Sequence, residues 1–118
     1  MLMLPPSVRI YLASEPVDMR FGIDRLMGLV RHRHALDPFS GHLFVFISRR
    51  RNRAKVLFWD QGGFVLYYKR LEAGRFRPAP MAADASTVAL SSTQLAMLLS
   101  GIDISRVRKP RHWLPKTN

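Results

Sequence analysis

Five of the seven residues from 49 to 55 carry a basic side chain, the densest concentration of one chemistry in this sequence. They are Arg49, Arg50, Arg51, Arg53 and Lys55. Guanidinium and ammonium groups at this density favour a polyanionic partner, and nucleic acid is the first candidate. The run lies between two strongly apolar segments, 43–47 and 56–60, that are typical of strands. A basic loop between two strands would form a projecting tip that contacts phosphates.

The rest of the positive charge is also clustered. The net charge of the chain is +11, and it is concentrated in two segments. Residues 49–77 hold nine Lys or Arg and two acids, and residues 104–118 hold five Lys or Arg and no acid. Such clustering favours an anionic partner over a merely solvated basic surface. A membrane surface fits less well, because no basic segment is also an amphipathic helix. The predicted nucleic-acid contacts outside the tip are Arg75, Arg77, Arg106, Arg108, Lys109 and Arg111.

The sequence contains few residue patterns that indicate catalysis. A metal-dependent nuclease needs converging carboxylates, and Asp60 and Glu72 are the pair that could approach each other at strand ends. His32 and His34 are two residues apart on a predicted helix and point to different faces, so no zinc site is expected. The sequence has no cysteine, no Gly-x-Ser-x-Gly motif and no phosphate-binding glycine loop. We therefore expect neither an enzyme nor a cofactor.

Length and composition predict one cytoplasmic domain. A chain of 118 residues with 47% hydrophobic residues can bury one core. The absence of cysteine is compatible with an intracellular setting. No apolar run approaches the ~20 residues of a membrane helix, and residues 1–6 do not have the pattern of a signal peptide.

Hydrophobic periodicity predicts the elements that must hold the tip. Residues 8–12 alternate as a half-buried strand, and apolar residues at helical spacing predict a helix over about 19–35 with Asp18 as its N-cap. Strands are predicted at about 43–48, 55–60 and 64–70, joined as a β-meander. Their near-continuous apolar runs need cover on both faces. The long helix would cover one face, and the C-terminal helix, a crossing strand or a second subunit would cover the other. The meander aromatics are interpreted as core.

A short strand over 87–90 is followed by a second predicted helix. Ser91 and Gln94 stand in the register of a capping box, and Gly101 with Ile102 fits the end of the helix. The predicted fold is therefore α+β: a curled antiparallel sheet, a meander of about four or five strands, packed with two α-helices. We expect one domain over residues 1–103 and a basic, flexible tail over residues 104–118.

Several short motifs, taken together, resemble a known family. They lie at residues 18–26, 37–46, 55–60, 69–76 and 94–103, with Arg49-Arg50 between the second and the third. In this order they resemble the TnpB-type (Orf-two-like) accessory proteins of the insertion-sequence family numbered sixty-six. The resemblance covers roughly residues 5–103.

The resemblance implies a bacterial transposition protein that is accessory and non-catalytic. Its partners would be a large transposase, which carries the catalytic acids, and a second small accessory protein of the same element. The sequence departs from the family pattern at Arg77-Pro78, where the family usually has a tryptophan before the proline. Arg51 and Arg53 also make the tip more basic than the shared pattern requires.

The leading hypothesis is an accessory DNA-binding protein of a transposition complex that uses the tip and the tail. The alternative is a protein–protein adaptor that bridges the transposase and the second accessory protein. A metal-dependent nuclease is a third hypothesis. A homodimer would supply the second cover of the apolar strands and is a further hypothesis about partners.

Overall fold

One five-stranded sheet with helices on both sides forms the fold. The computed structural model describes residues 4–102 except 79 and 83. The strands are β1 (Ile10–Ala13), β2 (Leu43–Ile47), β3 (Arg53–Asp60), β4 (Gly63–Arg70) and β5 (Thr87–Leu90), and their order in the sheet is β4-β3-β2-β1-β5. The α+β class, with a curled sheet and two helices, is confirmed.

The sheet is mixed, because β1 pairs with β2 in parallel while the other pairs are antiparallel. The parallel pair was not expected from the sequence. It arises because the chain leaves β1, forms its first helical layer and returns to the start of β2, as a parallel pair requires. The β2-β3-β4 meander itself is antiparallel, as predicted.

The first helical segment begins later and is less regular than predicted. Helix α1 spans Ile23–Gly28 and continues as a π-helical segment, Leu29–Arg33. Gly22, and not Asp18, is the N-cap of α1. The prediction for Asp18 was wrong because its carboxylate accepts hydrogen bonds from the main chain and side chain of Arg20 in the preceding turn.

Helix α2 spans Ser92–Leu99, and its predicted ends are confirmed. The Ser91 hydroxyl accepts from the Gln94 N–H at 3.0 Å, and the Gln94 side chain accepts from the Ser91 N–H at 2.9 Å. At the other end Gly101 has φ of +80°, and the Ile102 N–H donates to the Met97 carbonyl at 3.0 Å. These bonds form the glycine-dependent cap that the sequence predicted.

Both faces of the sheet are covered within this chain. One core combines Ile10, Val45 and Val56 with Leu95 and Leu98 of α2. The other combines side chains of the opposite face with Leu26 and Val30 of the first helical segment. The prediction of two covered faces is thus confirmed, and α2 provides the second cover. A second subunit is not needed for that purpose.

The meander aromatics are only partly core. Phe44, Phe46 and Phe58 are buried, as interpreted from the sequence. Tyr67 and Tyr68 are 43% and 49% exposed, so the interpretation was wrong for them. The reason is that β4 lies at the edge of the sheet, where neither helix reaches fully over it.

No helix in the described part of the chain is long and apolar enough to cross a membrane.

His34, which follows the π-helical segment, should make stability depend on pH. Burial, with a contribution from Arg33, lowers the pKa of His34 below its ordinary value of 6.5, while Glu15 opposes the shift. The unfolded chain therefore binds the proton at higher pH than the folded protein does. Stability should fall as the pH drops below 6.5 and level off once the pH is below the lowered value.

Urea unfolding at a series of pH values measures this dependence. Between about pH 7 and about pH 5, the free energy of unfolding of His34→Gln should fall by less than that of the native chain. Equal pH profiles for the two proteins would show that His34 does not contribute.

Candidate nucleic-acid interface

The tip is the tight connection between β2 and β3, as the sequence predicted. We define the tip loop as Ser48–Asn52. The Ser48 N–H donates to the Arg53 carbonyl, and the Arg51 N–H donates to the Ser48 carbonyl, both at 2.9 Å. The Ser48 hydroxyl also accepts from the Arg53 N–H at 3.2 Å and donates to the Asn52 side chain at 3.3 Å. The loop is therefore ordered by its main chain and by two small polar side chains.

Arg51 occupies a left-handed backbone conformation, with φ of +62°. This conformation costs a non-glycine residue roughly 1–2 kcal/mol. The loop nevertheless has arginine there, where glycine would be the unstrained choice. Because no hydrogen bond of the Arg51 side chain holds the loop among the described residues, the guanidinium is not what keeps this turn in shape.

A second segment braces the tip loop and brings two more arginines to it. The Leu71 N–H donates to the Asn52 carbonyl at 2.8 Å, and the Phe76 N–H donates to the Arg51 carbonyl at 2.6 Å. The Phe76 ring is completely buried and belongs to the core under α2. Arg75 and Arg77 stand on either side of this anchor and are exposed. The structure thus places both residues beside the tip, and their contact with nucleic acid stays a prediction.

An open cleft of about 520 Å³ lies between the tip and the segment 16–20. Arg49, Arg50 and Arg53 line one side, and Asp18 and Arg20 belong to the other. The Arg20 guanidinium donates to Asp18 with an N–O distance of 2.7 Å. This bond, together with the one that the Arg20 main-chain N–H donates to the same carboxylate, lowers the pKa of Asp18 to about 2. The one acid of the cleft is therefore already neutralised by a partner, and the arginines of the tip set the charge of the cleft.

Lys55 differs from the other predicted contacts. It lies in β3, and its ammonium donates to the carbonyls of Met19 and Phe21 at 2.7 and 2.9 Å. The ring of Tyr68 lies 5.4 Å from the same nitrogen. Lys55 therefore ties the loop before α1 to the sheet and holds the far wall of the cleft. That it also contacts nucleic acid stays a prediction.

Like charges lie close together where β3 leaves the tip. Arg53 is paired directly opposite Arg70 in the β3–β4 register. Like charges at directly opposed positions destabilise a sheet. Arg70 is partly compensated by an ion pair with Glu72, with an N–O distance of 2.8 Å. Within the described residues, Arg53 has no acidic partner.

The two carboxylates considered for a nuclease do not approach each other. Asp60 begins the β3–β4 turn, whereas Glu72 follows the opposite end of β4. The eight residues of that strand separate them by roughly 25 Å. The expectation that they could converge was wrong, because a hairpin places the start and the end of one strand at opposite ends of the ladder. No group of three metal-ligating side chains occurs in the described part of the chain.

Some contacts could not be found from the sequence. Arg20 lies about thirty residues before the tip and reaches the cleft through the fold alone. The residue types of Ser48 and Asn52 indicate a turn, because serine and asparagine favour turns. Their role in ordering the loop was not predicted. The predicted tail contacts Arg106, Arg108, Lys109 and Arg111 lie outside the described residues.

Comparison with known proteins places this chain in a family. Residues 8–109 match the family model described as IS66 Orf2 like protein. The chain belongs to this family. The resemblance inferred from the motifs is thus confirmed.

Two relatives of this IS66 Orf2-like protein come from Sinorhizobium fredii. The uncharacterized protein y4jC is 38% identical over 111 residues, covering 92% of this chain and 93% of the relative. The uncharacterized protein y4hO is 41% identical over 103 residues, covering 86% and 88%. No solved structure matches the chain. Family membership implies an accessory protein of transposition.

Replacing Lys55 tests the structural role that its two internal hydrogen bonds give it. Lys55→Met leaves the carbonyls of Met19 and Phe21 without their donor, so the free energy of unfolding should fall by about 1–3 kcal/mol. Arg53→Met is the matched control on the same strand, because it removes an exposed charge with no acidic partner among the described residues. It should change stability by less than about 0.5 kcal/mol. Urea unfolding measures both variants, and equal stabilities would contradict the role assigned to Lys55.

Proposed function

We propose that this protein is a non-catalytic accessory protein of transposition that binds DNA through the tip. The observation that carries the proposal is one surface with six exposed arginines: Arg49, Arg50, Arg51, Arg53, Arg75 and Arg77. Within residues 4–102, none of the six forms an ion pair with an acid. Exposed cations on a braced loop suit a polyanion, because binding costs little ordering and breaks no existing pair.

The contacts would be with the DNA backbone. Arginine binds phosphate oxygens in a forked geometry, and a hairpin loop can follow a groove. Backbone contacts supply affinity and orientation but little sequence information. The tip therefore supports binding to many DNA sequences, and selection of the element ends would belong to other components. Arg106, Arg108, Lys109 and Arg111 of the tail would add further phosphate contacts.

The salt dependence of DNA binding tests the role of the tip. If four arginines of the tip each neutralise a phosphate, the logarithm of the association constant should fall with the logarithm of salt with a slope near −4. Arg49→Ala/Arg50→Ala should flatten that slope by about 2, since each lost contact removes roughly 0.9. Titrations of a fluorescent duplex at several salt concentrations measure the slope.

A matched control removes the same charge elsewhere. Arg9→Ala/Arg31→Ala also eliminates two exposed arginines, neither of which lies at the tip. Its slope should stay close to that of the native protein. Equal slopes for the native protein and both double variants would overturn the assignment of the tip, and the absence of any DNA binding would overturn the proposed function.

One observation favours the adaptor as a second function. Phe39, Trp59 and Phe64 form a three-ring cluster with all centroid distances at 5.1 Å. Phe39 is 45% exposed, and the cluster lies at the β3–β4 turn, at the other end of β3 from the tip. An exposed aromatic cluster suits a protein surface better than a phosphate backbone. The transposase or the second accessory protein of the element would be its partner.

Capture of the chain by each of these two proteins, after nuclease treatment, tests the adaptor. Phe39→Ser should weaken capture by about ten-fold or more if the ring anchors the contact, since buried aromatic anchors dominate interfaces. Arg49→Ala/Arg50→Ala is the control and should be captured normally. Loss of the native complex on nuclease treatment would show that shared DNA, and not the cluster, connects the proteins.

A further inference from the structure

Strand β4 is a long edge whose residues from Gly63 to Tyr68 lack the usual protection. It is the last strand on its side of the sheet and has eight residues, with no proline and no charged residue between Gly63 and Tyr68. Natural proteins blunt exposed edges with short strands, charges, proline or a covering segment. The opposite edge strand, β5, has only four residues. Such an edge therefore favours pairing of β4 with another strand.

Alternation along the hairpin shows which backbone groups of β4 are available. Asp60 and Gly63 flank a two-residue turn and form the first pair of the β3–β4 ladder. Eight residues after Gly63, the Leu71 N–H donates to the Asn52 carbonyl, which makes Asn52 and Leu71 a second pair. Both pairs belong to the hydrogen-bonded set, which alternates along an antiparallel pair. The intervening residues Phe64, Leu66 and Tyr68 consequently direct their N–H and C=O groups away from β3, to the open edge.

The exposed side chains of β4 define a register for self-pairing. Val65, on the α2 side of the sheet, is 39% exposed, and Tyr67 on the same side is 43% exposed. An antiparallel pairing of two β4 strands centred on Leu66 would set each Val65 opposite the other copy's Tyr67. It would also set each Phe64 opposite the other copy's Tyr68 on the second side. Aromatic residues opposite β-branched or aromatic residues are favourable cross-strand pairs.

Charge also favours antiparallel self-pairing. The end of β4 carries Lys69 and Arg70, and it stays net positive although Glu72 pairs with Arg70, whereas its start adjoins the Asp60 carboxylate. Within the described residues Asp60 forms no ion pair. Antiparallel pairing brings the basic end of each copy to the acidic turn of the other, while parallel pairing would bring the two basic ends together.

We infer that the β4 edge is the interface of a homodimer, in which two copies join their sheets about a two-fold axis at Leu66. The partner is a second copy of this chain, because the pattern of exposed residues and charges on β4 is self-complementary, as a two-fold interface requires. Joining the edges gives a continuous ten-stranded sheet and leaves both tips free. This inference does not depend on DNA binding.

Size-exclusion chromatography with light scattering, on the full chain freed of nucleic acid, tests the dimer. The native protein should have twice the monomer mass of 13.6 kDa and dissociate on dilution. A monomer at every concentration would overturn the inference, including the case in which the chain's own tail occupies the β4 edge.

A charge exchange tests the register. Val65→Lys/Tyr67→Lys sets introduced lysines opposite each other twice in the dimer and should weaken dimerisation by about ten-fold or more. Val65→Glu/Tyr67→Lys removes the same apolar groups but sets each introduced glutamate opposite an introduced lysine, and it should dimerise more tightly than the double-lysine variant. Circular dichroism confirms that both variants are folded.

Dimerisation of the two double variants also distinguishes the pairing at Leu66 from other arrangements of the dimer. A register shifted to centre on Val65 would set the two introduced glutamates of the Glu/Lys variant against each other and each introduced lysine opposite Gly63, so no recovery would be seen. Such a result would overturn the pairing at Leu66. A dimer that both variants leave intact would overturn the β4 edge as the interface.

Discussion

Burial of β2 on both of its faces is the constraint on which the rest of the structure depends. All five residues of this strand are buried, and β1 and β3 pair with its two edges. A strand buried in this way needs a layer on each side of the sheet. The first helical segment forms one layer and α2 forms the other. The loop that leaves β2 therefore starts from the most enclosed strand of the fold, and this loop is the tip.

The tip is ordered without the use of its charges. Main-chain bonds, Ser48, Asn52 and the buried ring of Phe76 hold the loop, so its guanidinium groups stay exposed. The like-charge pair of Arg53 and Arg70 costs stability that a neutral pair would not cost. An arrangement with this cost and no internal benefit is consistent with a function in which an external polyanion supplies the missing negative charge. Lys55 is the exception, because its ammonium is used internally.

The sequence predicted those features that local patterns determine. Apolar runs located β2, β3 and β4, and the Ser91–Gln94 capping box located the start of α2. The parallel pairing of β1 with β2 was not predicted, because it depends on the path of the chain and not on the composition of either strand. The internal bonds of Lys55 were missed for a similar reason. In the sequence, Lys55 cannot be distinguished from the other basic residues of its run. The two carbonyl groups that accept from its ammonium belong to residues that are distant in the chain.

The covered faces also change the physical argument for a dimer. From the sequence, a second copy was considered because apolar strands needed another layer, and α2 already provides that layer. What the described chain leaves unsatisfied is the backbone of one long edge strand, together with Val65, Tyr67 and Tyr68, which are exposed on it. Edge pairing satisfies both, since it adds hydrogen bonds and shields apolar side chains without disturbing either core. A second copy would therefore extend the sheet sideways, and the two tips would remain accessible at opposite ends of the shared strands.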